Sequence, residues 1–480
     1  MTRRITSIVF IFVFLLLSTA IAQKARLSYD ELKRAPGAAM YHVPIGLCED
    51  YPEESTTLTV IRNDMELLKR SGIGLLRVSF GWDGIELEKD KYHWGFWDDF
   101  VKIAVDEYGI TLIPYLCYTP AWNSTGDSTN YWNHTPKDYE QFGKFVKVIV
   151  NRYKDRIKSW ELWNEPDIKE YWSGNAEDLA RLVKIGATSV RKADPSALIV
   201  CPGLAGHVDF TLSLFRDFGI SPYVDVVNLH SYFETWHADP AEQVVPYINR
   251  IADIIRKYGN HQSIWMAEVG YSTFRKDDGF VSYQYQAYYD YEHTPSYQAN
   301  HLFRTLTLIL STNSVAAVAW YEIKDLPPGE NVIGDVNNRN LGVAYVDYRA
   351  KPAEQSLSLF NCLFAGKQEC IDARVTISRA IGSDSEIHCF QDERGDIIVV
   401  GWLRTNVAGK RGADKTGAVK DTRTEDVSIL IPGQIGNTCI RYDLSGKESP
   451  YSHLEMTKGG TVMREVKLNG GELFIAKISR

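Results

Sequence analysis

The chain has 480 residues, a formal net charge of −8, and 12 Trp and 27 Tyr among its aromatic residues. This length is sufficient for two domains, and the acidic balance argues against nucleic acid or an anionic membrane surface as a partner. Tyr and Trp combine a flat apolar face with a polar group, so they suit a sugar-binding cleft as well as a core.

The first 22 residues have the pattern of an export signal. Arg3 and Arg4 supply positive charge, and residues 8–17 form an apolar stretch that is short for a membrane span. Residues 20–22, Ala-Ile-Ala, fit a cleavage site before Gln23. We therefore expect an exported (secreted or periplasmic) mature protein, with no other segment that spans a membrane.

Strand-like runs alternate with helical patterns in the region after the signal. The predicted strands are residues 40–47, 75–82, 111–116, 160–167, 198–202, 224–229, 264–267 and 315–320. The predicted helices are residues 58–69, 94–108, 137–153, a helix capped by Asn175, 241–258 and 301–311. Eight strands, most of them followed by a helix, predict an α/β fold in which residues 23–358 form a (β/α)8 TIM barrel.

Only short strands follow residue 358. They are predicted at residues 386–390, 397–403, 427–431, 439–442, 464–468 and 472–478. Asn-Gly-Gly at residues 469–471 is a hairpin-turn signal between the last two. This spacing predicts a small antiparallel β-sandwich over residues 359–480. Since we identify no row of exposed aromatic residues there, we expect a scaffold that packs on the barrel.

The seven cysteines match no zinc-binding spacing. Export would permit disulfides. Cys117 and Cys201 lie within strand-like runs and are expected to be buried thiols. The possible pairs are Cys362 with Cys370 and Cys389 with Cys439.

One stretch, residues 160–167, reads Trp-Glu-Leu-Trp-Asn-Glu-Pro-Asp. Its apolar alternation predicts a buried strand, which Pro166 should end because proline cannot donate to a sheet ladder. The residue before a proline is also disfavoured in the helical region, so we expect Glu165 to be extended. Asn164 and Glu165 would then lie at the C-terminal end of a barrel strand, where such barrels place their chemistry. The alternative is a solvated loop acid.

Glu268 ends strand seven in a matching setting. Strands four and seven lie on opposite sides of an eight-stranded barrel, so the two carboxyl groups can flank a substrate. Glycoside hydrolysis needs one protonated carboxyl and one ionised carboxylate in this arrangement, and a separation of roughly 5 Å predicts retention of configuration. No metal or organic cofactor is required, and no His/Asp cluster has the ligand spacing of a metal hydrolase.

The Trp-Asn-Glu-Pro ending of strand four and the Glu-Val-Gly ending of strand seven resemble the large clan A of retaining (β/α)8 glycoside hydrolases. Over residues 40–350 the wider pattern is most similar to family 39, the β-xylosidase-like group. It comprises Trp-Asp-Gly-Ile-Glu at 82–86, Tyr-His-Trp at 92–94, Tyr-Thr-Pro-Ala-Trp at 118–122 and Arg-Tyr at 152–153. The resemblance implies a carbohydrate substrate and cleavage of a β-glycosidic, foremost β-xylosidic, linkage.

The resemblance also implies a role for each matched residue. Glu165 would be the acid/base and Glu268 the nucleophile. Burial and the charge of Glu268 should raise the pKa of Glu165, while Arg77 should hold Glu268 ionised. Asn164 would hydrogen-bond the sugar 2-hydroxyl.

Further residues would surround the sugar. His230 and Tyr232 would lie beside the nucleophile, with Tyr232 within hydrogen-bonding reach of it, and Trp320 would form an aromatic floor. Other aromatic residues could be sugar platforms or only loop anchors: Trp82, Tyr118, Trp122, Trp236 and Tyr271.

Three other functions remain open from the sequence. An endo-acting glycanase or an arabinofuranosidase of the same clan would use the same two glutamates. An inactive carbohydrate-binding protein on this fold would retain the cleft without turnover. The Tyr-rich stretch at residues 273–298 is expected to form a rim of the cleft that is specific to this protein. Because the rim shapes the sugar-binding subsites, the sequence leaves the sugar, the linkage and exo or endo action undetermined.

Overall fold

The structure, a computed structural model, describes residues 26–34, 37, 40–237, 239–276, 287–329, 336–405, 419–433 and 436–479. The predicted export signal, residues 1–22, lies outside the described residues, as does the centre of the Tyr-rich stretch. Within the described ranges, none of the helices combines the length and the apolar character that crossing a bilayer would need.

Eight parallel strands pair in chain order and close into a barrel. They are β1 Ile45–Glu49, β2 Leu75–Gly81, β3 Thr111–Cys117, β4 Ser159–Glu161, β5 Leu198–Leu204, β6 Val226–Ser231, β7 Ser263–Val269 and β8 Val315–Tyr321. The barrel closes where β1 pairs with β8, with Leu47 opposite Trp320. The predicted TIM barrel is confirmed.

Helices cover the outside of the barrel. They are α1 Leu58–Arg70, α2 Trp82–Ile85, α3 Gly95–Val101, α4 Tyr139–Tyr153, α5 Ala176–Ala193, α6 Val208–Arg216, α7 Val244–Tyr258, α8 Pro295–Ser311 and α9 Pro352–Leu363. The predicted cap of α5 is present, because the Asn175 side chain accepts from the backbone nitrogens of Glu177 and Asp178. The sequence did not predict α2, α6 or α9. The predicted domain limit at residue 358 falls inside α9 and stays a prediction.

The C-terminal region forms two antiparallel sheets, which confirms its predicted all-β character. The four-stranded sheet has the order β10 Thr376–Ser378, β13 Thr424–Pro432, β17 Gly460–Asn469, β16 Leu454–Thr457. The six-stranded sheet has the order β15 Glu448–Pro450, β14 Thr438–Tyr442, β18 Leu473–Ser479, β12 Ile397–Leu403, β11 Ser385–Asp392, β9 Gln368–Cys370.

Strand β12 is buried on both of its faces. Ile397 and Val399 belong to the core between the two sheets, whereas Ile398, Val400 and Trp402 belong to the core that continues from the barrel. Because successive side chains of a strand point to opposite faces, the six-stranded sheet lies between the barrel and the four-stranded sheet.

The predicted hairpin between the last two strands is wrong. A turn does follow Asn469, with Gly471 at φ 74, but β17 and β18 belong to different sheets. The ladder partners of β17 are β13 and β16, and those of β18 are β12 and β14. The turn therefore links the two sheets of the sandwich.

The structure contains neither of the possible disulfides. All seven cysteines lie in described parts of the chain, and all are free thiols. Cys389 is on β11 and Cys439 on β14, and two further strands, β12 and β18, separate them in the sheet. Three strand spacings place them roughly 14 Å apart, far beyond the reach of a disulfide. Cys117 and Cys201 are buried, as expected.

Candidate active site

The chain turns sharply after β4. The strand itself ends at Glu161, earlier than predicted. Its pairing with β5 continues through the Leu162 backbone nitrogen, which donates to the Val200 carbonyl oxygen at 3.2 Å, and through an isolated bridge between Asn164 and Gly203. Glu165 has φ 42, in the left-handed region, so the expectation that it is extended is wrong. Its backbone nitrogen donates to the Gly203 carbonyl oxygen at 2.9 Å. This bond to the end of β5 holds the turn that brings Glu165 to the barrel mouth.

The two predicted glutamates meet at the C-terminal end of the barrel. Glu165 is 7% exposed and Glu268 is 8% exposed. One carboxylate oxygen of each and one ring nitrogen of His230 all lie within 4.8 Å of one another. This separation suits direct attack by a carboxylate and leaves no room for the intervening water of an inverting site.

His230 lies between the two carboxyl groups. Its Nδ1 atom is 2.8 Å from Oε1 of Glu165 and 3.5 Å from Oε2 of Glu268. Burial lowers the pKa of His230 despite the opposing charge of Glu268. Only glycine fits at position 203, because a Cβ there would lie 1.9 Å from Nε2 of His230.

Arg77 lies beneath the site and contacts more than Glu268. Its NH1 donates to Oε2 of Glu268 at 2.6 Å. Its Nε and NH2 donate to Oε2 and Oε1 of Glu161 at 2.8 and 3.0 Å, and NH2 also donates to Oδ1 of Asn164 at 2.8 Å. The guanidinium therefore binds two carboxylates, those of Glu161 and Glu268, and fixes the orientation of the Asn164 amide.

Glu161 is a site residue that the sequence reading missed. It is completely buried, and its Oε1 accepts from the backbone nitrogen of Gly203 and from Nδ2 of Asn228. A signal was available, because a buried Arg needs an acidic partner and Glu161 is the acidic residue that lies inside predicted strand four rather than at its end.

Tyr232 is within hydrogen-bonding distance of the second glutamate, as expected. Its hydroxyl donates to Oε1 of Glu268 at 2.6 Å. Asn164 presents its Nδ2 toward the Tyr118 hydroxyl, 3.4 Å away. Tyr232 and Tyr118 are each partly exposed.

Burial raises the pKa of both carboxyl groups. The pKa of Glu165 is raised to about 8, first by burial and then by the charge of Asp167. Burial also raises the pKa of Glu268, against the lowering effects of His230, Arg77 and the Tyr232 hydrogen bond. Arg77 lowers the pKa of Glu268 but does not reverse the direction set by burial.

Asp167 is a second residue that the sequence reading did not assign. Its two carboxylate oxygens accept from the backbone nitrogens of Ala205 and His207, at 2.9 and 3.0 Å. These bonds hold the carboxylate in the loop directly after Glu165. Its negative charge disfavours ionisation of Glu165 and so favours the protonated form that an acid catalyst needs.

The aromatic predictions divide into cleft and core residues. Tyr118 is partly exposed and contacts Trp132, Trp163 and Tyr171 edge-on or stacked. Trp236 is also partly exposed, with its ring 4.7 Å from that of Tyr232. These residues can face a substrate.

Of the remaining predicted platforms, Trp122 is partly exposed although its indole anchors a loop, whereas Trp82 and Tyr271 fill the core. Trp122 donates its Nε1 to the Glu86 carbonyl oxygen, and Trp82 donates to the Glu86 side chain while fully buried. Tyr271 is fully buried between His293 and His301.

Trp320, the expected floor, is also fully buried. The next residue, Tyr321, is partly exposed, and its ring lies 6.5 Å from that of Tyr232. Because strand residues alternate between faces, a shift of one position exchanges a core residue for a cleft residue. Tyr321, and not Trp320, is therefore the partly exposed aromatic residue of β8 beside Tyr232.

Glu165, His230 and Glu268 are also the set of described residues whose spacing could hold a metal ion. The Arg77 guanidinium lies 2.6 Å from Oε2 of Glu268, and this fixed positive charge would oppose a cation at the same oxygen. The donor set therefore suits proton exchange between buried groups better than metal binding.

Comparison with known proteins agrees with this geometry. The model of the family "Glycosyl hydrolases family 39" matches residues 57–258. A β-xylosidase of Caldicellulosiruptor saccharolyticus is 27% identical over 188 residues, which cover 36% of this chain and 35% of that protein. The chain spans about a third of the length of the curated relatives it matches.

Solved structures extend the likeness to nearly the whole chain. A family 39 glycoside hydrolase from Bacteroides cellulosilyticus superposes with a TM-score of 0.64 at 18% identity, covering 94% of this chain and 82% of that one. A family 39 β-xylosidase from Caulobacter crescentus has a TM-score of 0.59 at 16% identity, covering 94% and 98%. At such identities the likeness shows a shared fold.

The closed eight-stranded barrel and the paired carboxyl groups resemble those of the (β/α)8 glycoside hydrolases of the two-glutamate clan. The part of the chain at residues 57–258 is similar to family 39 of that clan.

Proposed function

We propose that the protein is a retaining glycoside hydrolase that cleaves a β-glycosidic linkage by double displacement. The observation that carries the proposal is the approach of Glu165 and Glu268, one oxygen of each within 4.8 Å. We assign Glu165 as the acid/base and Glu268 as the nucleophile. The pKa of about 8 at Glu165 keeps its proton available at neutral pH.

In the first step, Glu268 attacks the anomeric carbon and the bond to the leaving oxygen breaks. Glu165 transfers its proton to that oxygen, so that the aglycon departs as a neutral alcohol. The product is a glycosyl ester of Glu268. Arg77 and Tyr232, which donate to the two oxygens of Glu268, favour the ionised carboxylate that must attack.

In the second step, water replaces the Glu268 carboxylate at the anomeric carbon. Once Glu268 is esterified it carries no charge, so the ionised form of Glu165 is easier to maintain. Glu165 accepts a proton from the attacking water, and the sugar leaves with its original configuration. His230, 2.8 Å from Glu165, orients that carboxyl group in both steps.

Asn164 is proposed to bind the sugar 2-hydroxyl. Its Oδ1 is occupied by Arg77, so its Nδ2 remains directed at the partly exposed Tyr118 and the open side of the site. Hydrogen bonds to this hydroxyl strengthen in the transition state of glycoside cleavage. Tyr118, Tyr232 and Tyr321 would contact the sugar ring.

We also propose that residues 1–22 direct export of the protein.

The substrate we propose is a β-xyloside. Support for the sugar comes from the family model and from the β-xylosidase relative. An endo-acting glycanase or an arabinofuranosidase would use the same carboxyl groups, and a panel of substrates distinguishes them.

The test is hydrolysis of aryl β-glycosides, an aryl α-arabinofuranoside, xylo-oligosaccharides and polysaccharides, with the first-formed anomer followed by proton NMR. We expect release of β-xylose from an aryl β-xyloside. An α-anomer as first product would contradict the retaining mechanism. Binding of xylo-oligosaccharides without cleavage of any substrate would indicate a carbohydrate-binding protein instead.

A further inference from the structure

The loop that follows β6 carries an unusual residue, Glu234. Its φ of 60 lies in the left-handed region, which a residue with a side chain rarely adopts. Its side chain is completely buried. A buried acid in a strained backbone conformation persists only where its surroundings hold it.

One oxygen of the Glu234 carboxylate accepts three hydrogen bonds. Oε1 accepts from NH2 of Arg304 at 2.8 Å, from the Thr405 hydroxyl at 2.8 Å and from the backbone nitrogen of Ala241 at 3.1 Å. The other oxygen faces the Tyr297 hydroxyl at 3.5 Å and Nε2 of His301 at 3.9 Å. The carboxylate thereby ties both ends of residues 234–241 to α8 and to Thr405.

Thr405 belongs to the other domain. It lies two residues after β12, in the β-rich C-terminal region. The same strand supplies Trp402, whose Nε1 donates to Oε1 of Glu242 at 2.8 Å. The sandwich thus contacts the β6 loop at Glu234 and again at Glu242, just beyond Ala241.

Glu234 is close in the chain to Tyr232, which contacts the candidate nucleophile. The Tyr232 carbonyl oxygen accepts from the backbone nitrogens of Thr235 and Trp236, each at 3.2 Å. The Trp236 ring packs edge-on against the Tyr232 ring at 4.7 Å. The turn that Glu234 stabilises therefore forms the support of the Tyr232 side chain, whose hydroxyl reaches Glu268 at 2.6 Å.

We propose that Glu234 is a positioning residue for Tyr232, and that Thr405 makes the β-sandwich part of the support of the active site. This inference rests on the proposed function, because Tyr232 matters to the reaction through its bond to the nucleophile. The sandwich then does more than add stability: its Thr405 hydroxyl helps to set the Tyr232–Glu268 distance.

The test uses Thr405→Val, because removal of Glu234 or Arg304 would leave a buried charge unpaired and could prevent folding. Valine keeps the shape of threonine and removes only the hydroxyl. We expect kcat to fall roughly 10-fold, with KM changed less than about 3-fold, since small displacements at a catalytic group are costly. Thr405→Ser, which retains the hydroxyl, should restore kcat.

A matched control breaks interdomain contacts at the opposite end of the barrel. Asn313, just before β8, exchanges two hydrogen bonds with the backbone of Cys370 on β9, at 3.1 and 3.2 Å. Its φ of 50 suits glycine. Asn313→Gly should lower thermal stability without changing kcat, and an equal loss of kcat in this variant would show that any weakened interface has the same effect.

The decisive readout is the titration of Glu268. Arg77 from β2, Glu165 after β4, His230 on β6 and Tyr232 just after it contact or face this carboxylate. Further titratable groups that interact with it are Cys48 from β1, Tyr171 after β4 and Tyr321 from β8. Loss of the Tyr232 bond should raise the pKa of Glu268. We therefore expect Thr405→Val to move the acid limb of the kcat/KM profile to higher pH, in the same direction as Tyr232→Phe.

The two variants should also be non-additive: in a Tyr232→Phe background, Thr405→Val should have little further effect. Full additivity, or an unchanged acid limb in Thr405→Val, would overturn the inference. Carbon-13 NMR of glutamate-labelled protein, assigned with Glu268→Gln, follows the same titration without turnover. Failure of the wild type to cleave any glycoside would thus count against the proposed function alone.

Discussion

Arg77 and Glu161 form a buried two-bond ion pair, with Nε and NH2 of Arg77 donating to the two oxygens of Glu161 at 2.8 and 3.0 Å. Neither side chain has appreciable contact with solvent. The pair holds the guanidinium in place beneath the site, and the same guanidinium also donates to Glu268 and Asn164.

Glu161→Gln should therefore change stability and titration together. We expect a loss of about 3 kcal/mol in the free energy of unfolding, the cost of removing one partner of a buried pair, measured by urea denaturation. With less negative charge near Arg77, the pKa of Glu268 should fall. The acid limb of kcat/KM should move to lower pH, and a shift to higher pH would contradict the assigned role of Glu161.

Glu165→Gln should affect substrates according to their leaving groups. Acid assistance is needed when the departing alcohol is weakly acidic, so the rate for a simple aryl or alkyl xyloside should fall by roughly 10²–10⁴-fold. Glycosylation by 2,4-dinitrophenyl β-xyloside, whose phenolate leaves without a proton, should be nearly unchanged. Pre-steady-state release of dinitrophenol measures this step, and equal losses for both substrates would argue against an acid role for Glu165.

The raised pKa of Glu165 also predicts how stability depends on pH. A carboxyl group whose pKa is about 8 in the folded protein and about 4.3 when unfolded binds its proton more tightly in the folded state. Its contribution is complete below about pH 4.3 and is lost as pH rises through about 8.

Glu165→Gln removes this dependence. Relative to wild type, the variant should gain roughly 3–4 kcal/mol of stability between pH 5 and pH 8, measured by chemical denaturation at both values. Glu393→Gln, at an exposed position, is the control and should follow wild type. A variant that loses as much stability as wild type over this interval would contradict the buried, protonated state of Glu165.

Trp320 and Tyr321 should give opposite phenotypes. Trp320→Phe should cost about 2 kcal/mol of stability, because it opens a cavity in the core, with KM nearly unchanged. Tyr321→Ala should raise KM roughly 10-fold through loss of an aromatic sugar contact, with a smaller effect on stability. Thermal unfolding and steady-state kinetics on an aryl β-xyloside separate the two, and the reverse pattern would restore Trp320 as the floor.

Thiol titration tests the cysteine assignment. All seven cysteines are free; Cys362 is exposed, Cys370 is half-buried and the other five are buried. Without reductant, the denatured protein should yield seven reactive thiols, and the native protein should show one that reacts rapidly. Five or fewer thiols in the denatured protein would indicate a disulfide that the structure does not contain.

The sequence was sufficient for the architecture because hydrophobic periodicity is a local property. The eight barrel strands, the α5 cap at Asn175 and the all-β C-terminal region all followed from it. The pairing of Glu165 with Glu268 followed from where barrel strands end.

The features that the sequence did not predict depend on contacts between residues that are far apart in the chain. The hydrogen bonds of Glu161 join β2, β5 and β6, and no local pattern specifies them. Tyr321 and Trp320 differ by one position, which reverses the face each presents. The turn at Gly471 fits a hairpin locally, but its two strands have better partners in separate sheets.

The central claim is that Glu165 and Glu268 perform the two steps, and azide rescue tests it most directly. Glu165→Ala and Glu268→Ala are each assayed with 2,4-dinitrophenyl β-xyloside and sodium azide. If the account is right, azide restores turnover in both, giving β-xylosyl azide from Glu165→Ala and α-xylosyl azide from Glu268→Ala. If either variant keeps wild-type activity without azide, or Glu268→Ala yields the β-azide, the assignment of the two carboxyl groups is wrong.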